Sequence, residues 1–151
     1  MIVNNLTIEK MSEEHIAYVA AWEHKHFATP WKEAELTRSL QDNNTDFYVL
    51  TSGVTPVGYI GIVYGVDTAD IVTLFICPEC RRSGYASQIL SLSFEKMQQR
   101  GIEKVFLEVR ESNTPARNLY EKHGFEYLNK RVRYYANPVE DAWVMIKEMI
   151  K

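Results

Sequence analysis

Apolar residues recur along this chain with two alternating periods, one typical of strands and one typical of helices. Leu6 and Ile8 alternate with polar neighbours, which predicts a first strand. Ser12 then offers a side-chain oxygen that can cap a helix beginning at Glu13. The apolar face of that helix is expected to consist of Ile16, Val19, Ala20 and Trp22.

A second helix and a hairpin follow. Thr29 and Pro30 form another helix-start signal, because proline has no N–H to lose in a first turn, and they predict a helix over residues 31–40. Residues 47–50 and 57–64 are rich in aromatic and β-branched side chains and are separated by a Ser-Gly turn, which predicts two paired strands.

The pattern continues with a strand, a helix and another strand. Residues 71–76 are almost continuously apolar, which predicts a strand buried on both faces of the sheet. Apolar residues then recur at helical spacing over residues 87–99, and Gly101 is expected to end this helix as a C-cap. Residues 105–109 form the next predicted strand.

Asn113 and Pro115 mark the start of a short helix that Gly124 ends. Residues 125–135 and 142–149 predict a final pair of strands. The last segment also fits an amphipathic helix, and its β-branched residues favour the strand.

Composition limits the class of protein. The chain has 151 residues, of which 46% are hydrophobic and 25% charged, and it lacks repeats and Pro/Gly/Ser linkers, so we expect a single globular domain over residues 1–151. We expect no membrane span and no secretory signal, and therefore a cytoplasmic protein that is a monomer or a weak homodimer. A net charge of −3 argues against nucleic-acid binding, and a small anionic ligand would suffice for the basic clusters at residues 81–82 and 130–133.

Cysteine and histidine offer little support for a metal. Cys77 and Cys80 form a lone Cys-x-x-Cys, whereas zinc needs further ligands and redox chemistry favours a first cysteine at a helix N-terminus. His24 and His26 point to different faces of their helix. We therefore predict two reduced thiols and no metal.

The segment after the apolar strand is suited to binding an anion. A strand, a loop of small residues and a helix together direct several backbone N–H groups and a helix dipole at one site. Gly84 and Ala86 would let phosphate oxygens approach the backbone. The loop lacks a Walker Gly-Lys-Ser/Thr and has a single glycine, which disfavours a nucleoside triphosphate or NAD. An ordinary strand–helix turn or a basic surface patch would show a similar pattern.

Two groups of residues give a family resemblance. Arg81-x-x-Gly84-x-Ala86 resembles the acyl-CoA loop of the GNAT superfamily, and the run from Leu107 through Asn113 to Gly124-Phe125 resembles the second half of the same superfamily. The similarity covers about residues 71–149. Two departures are Ala86, where many members have glycine, and the Cys-Pro-Glu-Cys turn, which replaces a more usual acidic turn. Four further motifs are Phe27-x-x-Pro30-Trp31, Leu107-Glu108-Val109-Arg110, Arg133-Tyr134-Tyr135 and Glu140-Asp141-Ala142. Through them the chain most resembles, within the superfamily, the ribosomal-protein-alanine N-acetyltransferases (RimI type).

The resemblance implies an α/β (α+β) fold with a mixed, mainly antiparallel sheet of six to seven strands and helices on both faces. It implies acetyl-CoA as the acetyl donor, bound through its pyrophosphate at a loop consisting of Arg82, Ser83, Gly84, Tyr85, Ala86 and Ser87. The pantetheine arm would bind the backbone of Leu74, Phe75 and Ile76. Asn113 and Tyr120 would also contact the cofactor.

Two residues match the family's catalytic positions. The acceptor amine must be uncharged to attack, and an α-amino group with a pKa of about 8 is mostly protonated at neutral pH, so a general base is needed. Glu108 is the candidate base, acting through a water, and Tyr120 is the candidate acid for the departing CoA thiolate. Taken singly, each also fits a surface carboxylate or a packed aromatic residue.

The resemblance makes a protein N-terminus, possibly of a ribosomal protein, the expected acceptor. Trp31, Tyr134 and Tyr135 are candidate walls of the acceptor groove, and Glu140 could attract a basic peptide. Two alternatives remain: an acetyltransferase acting on a small amine such as a polyamine, amino acid or aminoglycoside, and a non-catalytic acyl-CoA-binding module.

Overall fold

The structure, a computed structural model, describes residues 6–149 and contains one seven-stranded sheet with four α-helices around it. The elements are, in order, β1 (Leu6–Lys10), α1 (Glu13–His26), α2 (Glu33–Ser39), β2 (Thr45–Ser52), β3 (Thr55–Tyr64), β4 (Thr68–Ile76), α3 (Tyr85–Gln99), β5 (Lys104–Arg110), α4 (Thr114–Lys122), β6 (Glu126–Tyr135) and β7 (Glu140–Glu148). Every strand predicted from the sequence is present, including the last one, which is a strand rather than a helix.

The strands lie in the order β1-β2-β3-β4-β5-β7-β6. All neighbours are antiparallel except β4 and β5, whose parallel pairing requires a crossover, and α3 supplies it. This arrangement confirms the predicted mixed, mainly antiparallel α/β sheet.

Helices cover both faces of the sheet. Tyr59 and Tyr64 lie five positions apart on β3, so their side chains point to opposite faces. Tyr59 packs against Trp22 of α1, while Tyr64 lies under the guanidinium of Arg100 at the end of α3. The α1 face and the α3 face are therefore the two sides of one sheet, and the predicted placement of helices is confirmed.

The prediction that residues 71–76 are buried on both faces is wrong. Val72 is 40% exposed, whereas its neighbours Ile71 and Thr73 are buried. The register of β3 with β4 shifts at this point, since Gly61 pairs with Thr73 and Ile62 pairs with Ile71. Val72 is the extra residue on β4 and forms a β-bulge, so its side chain does not follow the regular alternation between the two faces of the sheet.

Two helix starts differ from the prediction. The second helix begins at Glu33, because the N–H of Lys32 bonds to Oε1 of Glu35 at 3.0 Å and so closes the first turn there. Pro30 therefore precedes the helix instead of opening it. The third helix begins at Tyr85, two residues early, directly after a left-handed Gly84.

The predicted C-cap of the third helix is displaced by one residue. Arg100 is the capping residue, and Gly101 follows it with φ +78°. A glycine in the left-handed conformation just past the cap is a common way to end a helix.

Candidate active site

The sheet has a gap between β4 and β5, where the two strands separate. The two strands pair only from Thr68 to Ile71 and from Lys104 to Leu107, although β4 continues to Ile76 and β5 to Arg110. The predicted pantetheine strand, which consists of Leu74, Phe75 and Ile76, lies in this unpaired part. It pairs with β3 along one edge, so its other edge is free for an extended ligand that carries amide groups.

The loop before α3 has the geometry of an anion site. Gly84 adopts φ +80°, and a Cβ placed there would meet nothing within 4 Å, so the space in front of it is open. Arg82 also adopts a left-handed conformation, with φ +67°. The backbone N–H groups of residues 82–87 have no hydrogen-bond partner among residues 6–149. These six donors and the N-terminus of a 15-residue helix suit a pyrophosphate.

Side chains fix both ends of this loop. Nε of Arg81 donates to the carbonyl of Ile76 at 2.8 Å, which ties the loop to the end of β4. Oγ of Ser87 lies 2.9 Å from Nε2 of His123, at the end of α4. Burial, followed by the charges of Lys122 and Lys147, lowers the pKa of His123, so this imidazole is neutral at physiological pH.

Cys77 and Cys80 lie just before the loop as free thiols, with their Sγ atoms 2.8 Å apart. Burial is the main cause that raises the pKa of Cys77 to about 11. The thiol is therefore protonated at neutral pH, which makes it a poor nucleophile.

Glu108 lies on the α1 face of the sheet, beside the gap. Asp70 of β4 pairs with Val63, which shares its face with Tyr59 and therefore with α1. Asp70 also pairs with Phe106, two residues before Glu108 on β5. The same placement brings Asp70 and Glu108 close together. Burial first and the charge of Glu108 second raise the pKa of Asp70.

Both carboxylate oxygens of Glu108 have partners from β6. Oε2 lies 2.7 Å from Nε of Arg131, and Oε1 accepts a hydrogen bond from the phenol of Tyr134 at 3.2 Å. The side chain of Glu108 is 31% exposed, so it is open to water from the α1 face. A carboxylate oxygen can accept more than one hydrogen bond, so Glu108 can also accept one from a water.

Tyr120 is buried under the opposite side of the gap. Its ring packs edge-on against Phe125, and its hydroxyl makes no hydrogen bond to any group of residues 6–149. Burial alone raises the pKa of Tyr120 to about 12, so the phenol is protonated throughout the neutral range. A phenol that always carries its proton, and whose hydroxyl has no hydrogen-bond partner within residues 6–149, is suited to donate to a ligand in the gap.

Tyr135 lies near both candidate catalytic residues. Its pKa is raised by burial first, then by Glu108 and Tyr134, with a smaller contribution from Tyr120. Its ring packs edge-on against Tyr134 and lies 4.5 Å below the guanidinium of Arg110. The fold thus brings Glu108, Tyr120, Tyr134 and Tyr135 to one end of the gap.

Three further predicted site residues also make contacts within the fold: Asn113, Glu140 and Trp31. The side chain of Asn113 caps α4 by accepting from the N–H of Ala116 at 3.2 Å. Glu140 contacts Arg110 at 3.2 Å and accepts the N–H of Ser112 at 2.6 Å, so it holds the turn that follows β5. Trp31 lies on the α1 face further along the sheet, where it packs edge-on against Phe47.

The cluster at residues 130–133 does not need the external anion expected from the sequence. Lys130 lies 3.0 Å from Glu111, and Arg131 pairs with Glu108. These partners are 19 and 23 positions away along the chain, so no local pattern could reveal them. Arg131 is a site residue that sequence reasoning missed, and the cluster itself was its only signal.

No group of three or more His, Cys, Asp or Glu side chains within residues 6–149 is arranged to hold a metal ion. None of the helices in the same part of the chain is both long and apolar enough to cross a bilayer.

Comparison with known proteins identifies the family. Residues 9–125 match the model of the acetyltransferase (GNAT) family. A Bacillus subtilis (strain 168) relative, provisionally named as an alanine N-acetyltransferase of ribosomal protein bS18, is 32% identical over 145 residues, which are 93% of this chain and 96% of that protein. The crystal structure of the ribosomal-protein-S18-alanine N-acetyltransferase from Escherichia coli has a TM-score of 0.85 at 25% identity and covers 97% of this chain and 96% of its own.

A spermidine N-acetyltransferase from Vibrio cholerae has the same fold, with a TM-score of 0.82 at 18% identity over 95% of this chain and 93% of its own. Fold alone therefore does not select the acceptor. The family match and the Bacillus relative do establish the class: this chain belongs to the acetyltransferase (GNAT) family and is an acetyl-CoA-dependent N-acetyltransferase.

Proposed function

We propose that this enzyme acetylates the N-terminal α-amino group of a protein, and that a ribosomal protein is its acceptor. The observation that carries the proposal is the pair of tyrosines beside Glu108 on the open α1 face, where an extended peptide can approach the gap. The named activities of the Bacillus and Escherichia coli relatives support the choice of acceptor. An acceptor that is part of the ribosome would place the enzyme in the cytoplasm.

The cofactor is proposed to lie along β4 and to end at α3. The N–H groups of Arg82, Ser83, Gly84, Tyr85, Ala86 and Ser87 would bind the pyrophosphate, and the free edge of Leu74, Phe75 and Ile76 would bind the pantetheine arm. The amide of Asn113 would contact the cofactor while its oxygen caps α4. Acetyl-CoA supplies the acetyl thioester.

Glu108 is proposed as the general base. It would accept the proton of the acceptor amine through a water that enters from the α1 face. Arg131 and Tyr134 hold its carboxylate in place from β6, so its orientation is fixed before the acceptor binds.

Tyr120 is proposed as the general acid. The departing CoA thiolate needs a proton, and the buried phenol has one to give at any neutral pH. The lack of a competing partner for this hydroxyl within residues 6–149 supports the role, since a ligand atom would satisfy it.

Trp31, Tyr134 and Tyr135 are proposed as the walls of the acceptor groove. Glu140 is proposed to contribute to the same side of the site, with its carboxylate bonded to Arg110 and Ser112. Through this bond Glu140 would set the shape of the turn beside the groove as well as its charge.

Mass spectrometry on a matched set of acceptors tests the function. The set contains a peptide with a free N-terminal alanine, the same peptide with a blocked N-terminus and an internal lysine, and spermidine. We expect acetyl mass on the free peptide alone. Preferential acetylation of spermidine would instead indicate a small-amine acetyltransferase, and no product from any amine would favour an acyl-CoA-binding module.

A further inference from the structure

Glu23 of α1 is a buried carboxylate that the reaction does not use. Glu23 is 1% exposed. Oε1 accepts the backbone N–H of Trp31 at 3.0 Å. Oε2 accepts the hydroxyls of Thr73 at 2.7 Å and of Tyr59 at 2.9 Å.

Burying a carboxylate is costly, and an apolar side chain of similar volume at such a position is often neutral or stabilising. All three partners of Glu23 donate to it, so both of its carboxylate oxygens have hydrogen-bond partners. Burial first and Glu23 second raise the pKa of Tyr59 far above its ordinary value, so its phenol stays a donor. The position is therefore built around these hydrogen bonds, and its role lies in the two parts of the molecule that they connect.

The carboxylate joins two parts of the proposed site. Thr73 directly precedes the proposed pantetheine strand of β4. Trp31 is a proposed wall of the acceptor groove, in the segment of residues 28–32 that connects α1 to α2. Within that segment, only Trp31 and Lys32 have backbone N–H groups that donate hydrogen bonds, to Glu23 and to Glu35. Of these two carboxylates, Glu23 alone also contacts the sheet.

We infer that Glu23 is a positioning residue for the acceptor. Its carboxylate links residues 28–32, through the N–H of Trp31, to Thr73 beside the proposed pantetheine strand. It thereby holds the acceptor groove at a fixed distance from the thioester. The inference rests on the proposed function. It predicts that the loss of this carboxylate weakens the use of the acceptor more than the binding of the cofactor.

Three variants of the full chain test the inference. Glu23→Met fills the space and offers no acceptor oxygen to Trp31. Glu23→Gln is the conservative rescue, because its amide oxygen can still accept from Trp31 while its NH₂ donates to the two hydroxyl oxygens. Tyr59→Phe is the matched control, because it removes one donor to Oε2 and leaves the bond to Trp31 intact.

For Glu23→Met, we expect the KM for the acceptor peptide to rise roughly tenfold, as the loss of one buried hydrogen bond implies, with an unchanged KM for acetyl-CoA. Glu23→Gln and Tyr59→Phe should keep the acceptor KM of the unchanged protein. If both KM values instead rise together, or Tyr59→Phe matches Glu23→Met, the role is structural and the inference is wrong.

Amide hydrogen exchange at residues 28–32 gives a readout that does not depend on turnover. Exchange in this segment should be faster in Glu23→Met than in Tyr59→Phe. Equal exchange in the two variants would overturn the inference even in an active enzyme. If the unchanged protein acetylates no peptide, it is the proposed function that fails, and the exchange result still shows whether Glu23 holds the segment.

Discussion

The hydroxyl of Tyr120 is the residue-scale feature that separates a catalytic tyrosine from a packing one. Its ring is buried against Phe125, which any aromatic residue could achieve. Its hydroxyl has no hydrogen-bond partner within residues 6–149, and its oxygen is not among the fully buried unpaired atoms of this part of the chain, so a ligand can reach it. The ring contributes to folding, and the oxygen is available for chemistry.

Tyr120→Phe should therefore reduce turnover and leave the fold intact. We expect kcat to fall roughly a hundredfold or more, with an unchanged thermal midpoint and unchanged CoA affinity by calorimetry. Tyr127→Phe is the control, since Tyr127 is an exposed tyrosine of β6. A Tyr120→Phe enzyme with full kcat would show that another group protonates the leaving thiolate.

At this scale the sequence predicts the residues on family motifs and fails for their partners. Glu108 and Tyr120 follow from the order of motifs along the chain. Arg131 and Glu23 do not, because strand pairing and helix packing bring their partners to them across 8 to 50 positions. A charged residue inside an apolar helix face was the only sequence signal for Glu23.

At the scale of elements, the loop before α3 has a left-handed backbone conformation at Gly84 and open space in front of that residue. Gly84 and Gly101 lie at opposite ends of α3, with φ +80° and +78°, and a Cβ at either would meet nothing within 4 Å. Alanine at either position should cost about 1–2 kcal/mol, because both require the left-handed conformation. Only Gly84 faces the proposed pyrophosphate.

Gly84→Ala should therefore weaken CoA binding, whereas Gly101→Ala should leave it unchanged at a similar loss of stability. Calorimetry with CoA and thermal unfolding on both variants measures the two effects. Equal CoA affinity in the two variants would contradict the assignment of the pyrophosphate to residues 82–87.

Helix starts were the weakest element-scale predictions. Pro30 gave a valid start signal, but the N–H of Trp31 is held by Glu23 outside the helix, and Glu35 sets the start at Glu33 instead. The local sequence cannot reveal that a backbone N–H donates a hydrogen bond to the side chain of a residue in another element.

At the scale of the whole molecule, the sequence predicts seven strands and not their order. The gap exists because β4 and β5 separate after four paired residues, and because β7 pairs with the full length of β5 on its other side. Strand order and the bulge at Val72 depend on pairings between distant segments, which residue periodicity does not encode.

Buried tyrosines make the whole fold sensitive to alkali. Burial is the main cause that raises the pKa of Tyr48 and Tyr120 from 10.0 to about 12, and it raises those of Tyr59 and Tyr64 further. These groups ionise first in the unfolded chain, so the stability they contribute is complete below pH 10 and is lost as the pH rises towards 12.

The free energy of unfolding should thus fall steadily between pH 10 and pH 12, by about 1.4 kcal/mol per pH unit for each such group. Denaturant unfolding with tyrosinate absorbance measures it. Tyr120→Phe should make the fall shallower. A constant free energy of unfolding across this interval would mean that the tyrosines titrate as they do in the unfolded chain.

The central claim is that Glu108, at the gap between β4 and β5, takes the proton from the acceptor amine. The most direct test is kcat for Glu108→Gln with saturating acetyl-CoA and an N-terminal alanine peptide, beside CoA affinity and Glu95→Gln, a change at an exposed carboxylate of α3. We expect Glu108→Gln to lose roughly a hundredfold or more in kcat with CoA affinity retained, and Glu95→Gln to lose nothing. Full turnover by Glu108→Gln would contradict the account.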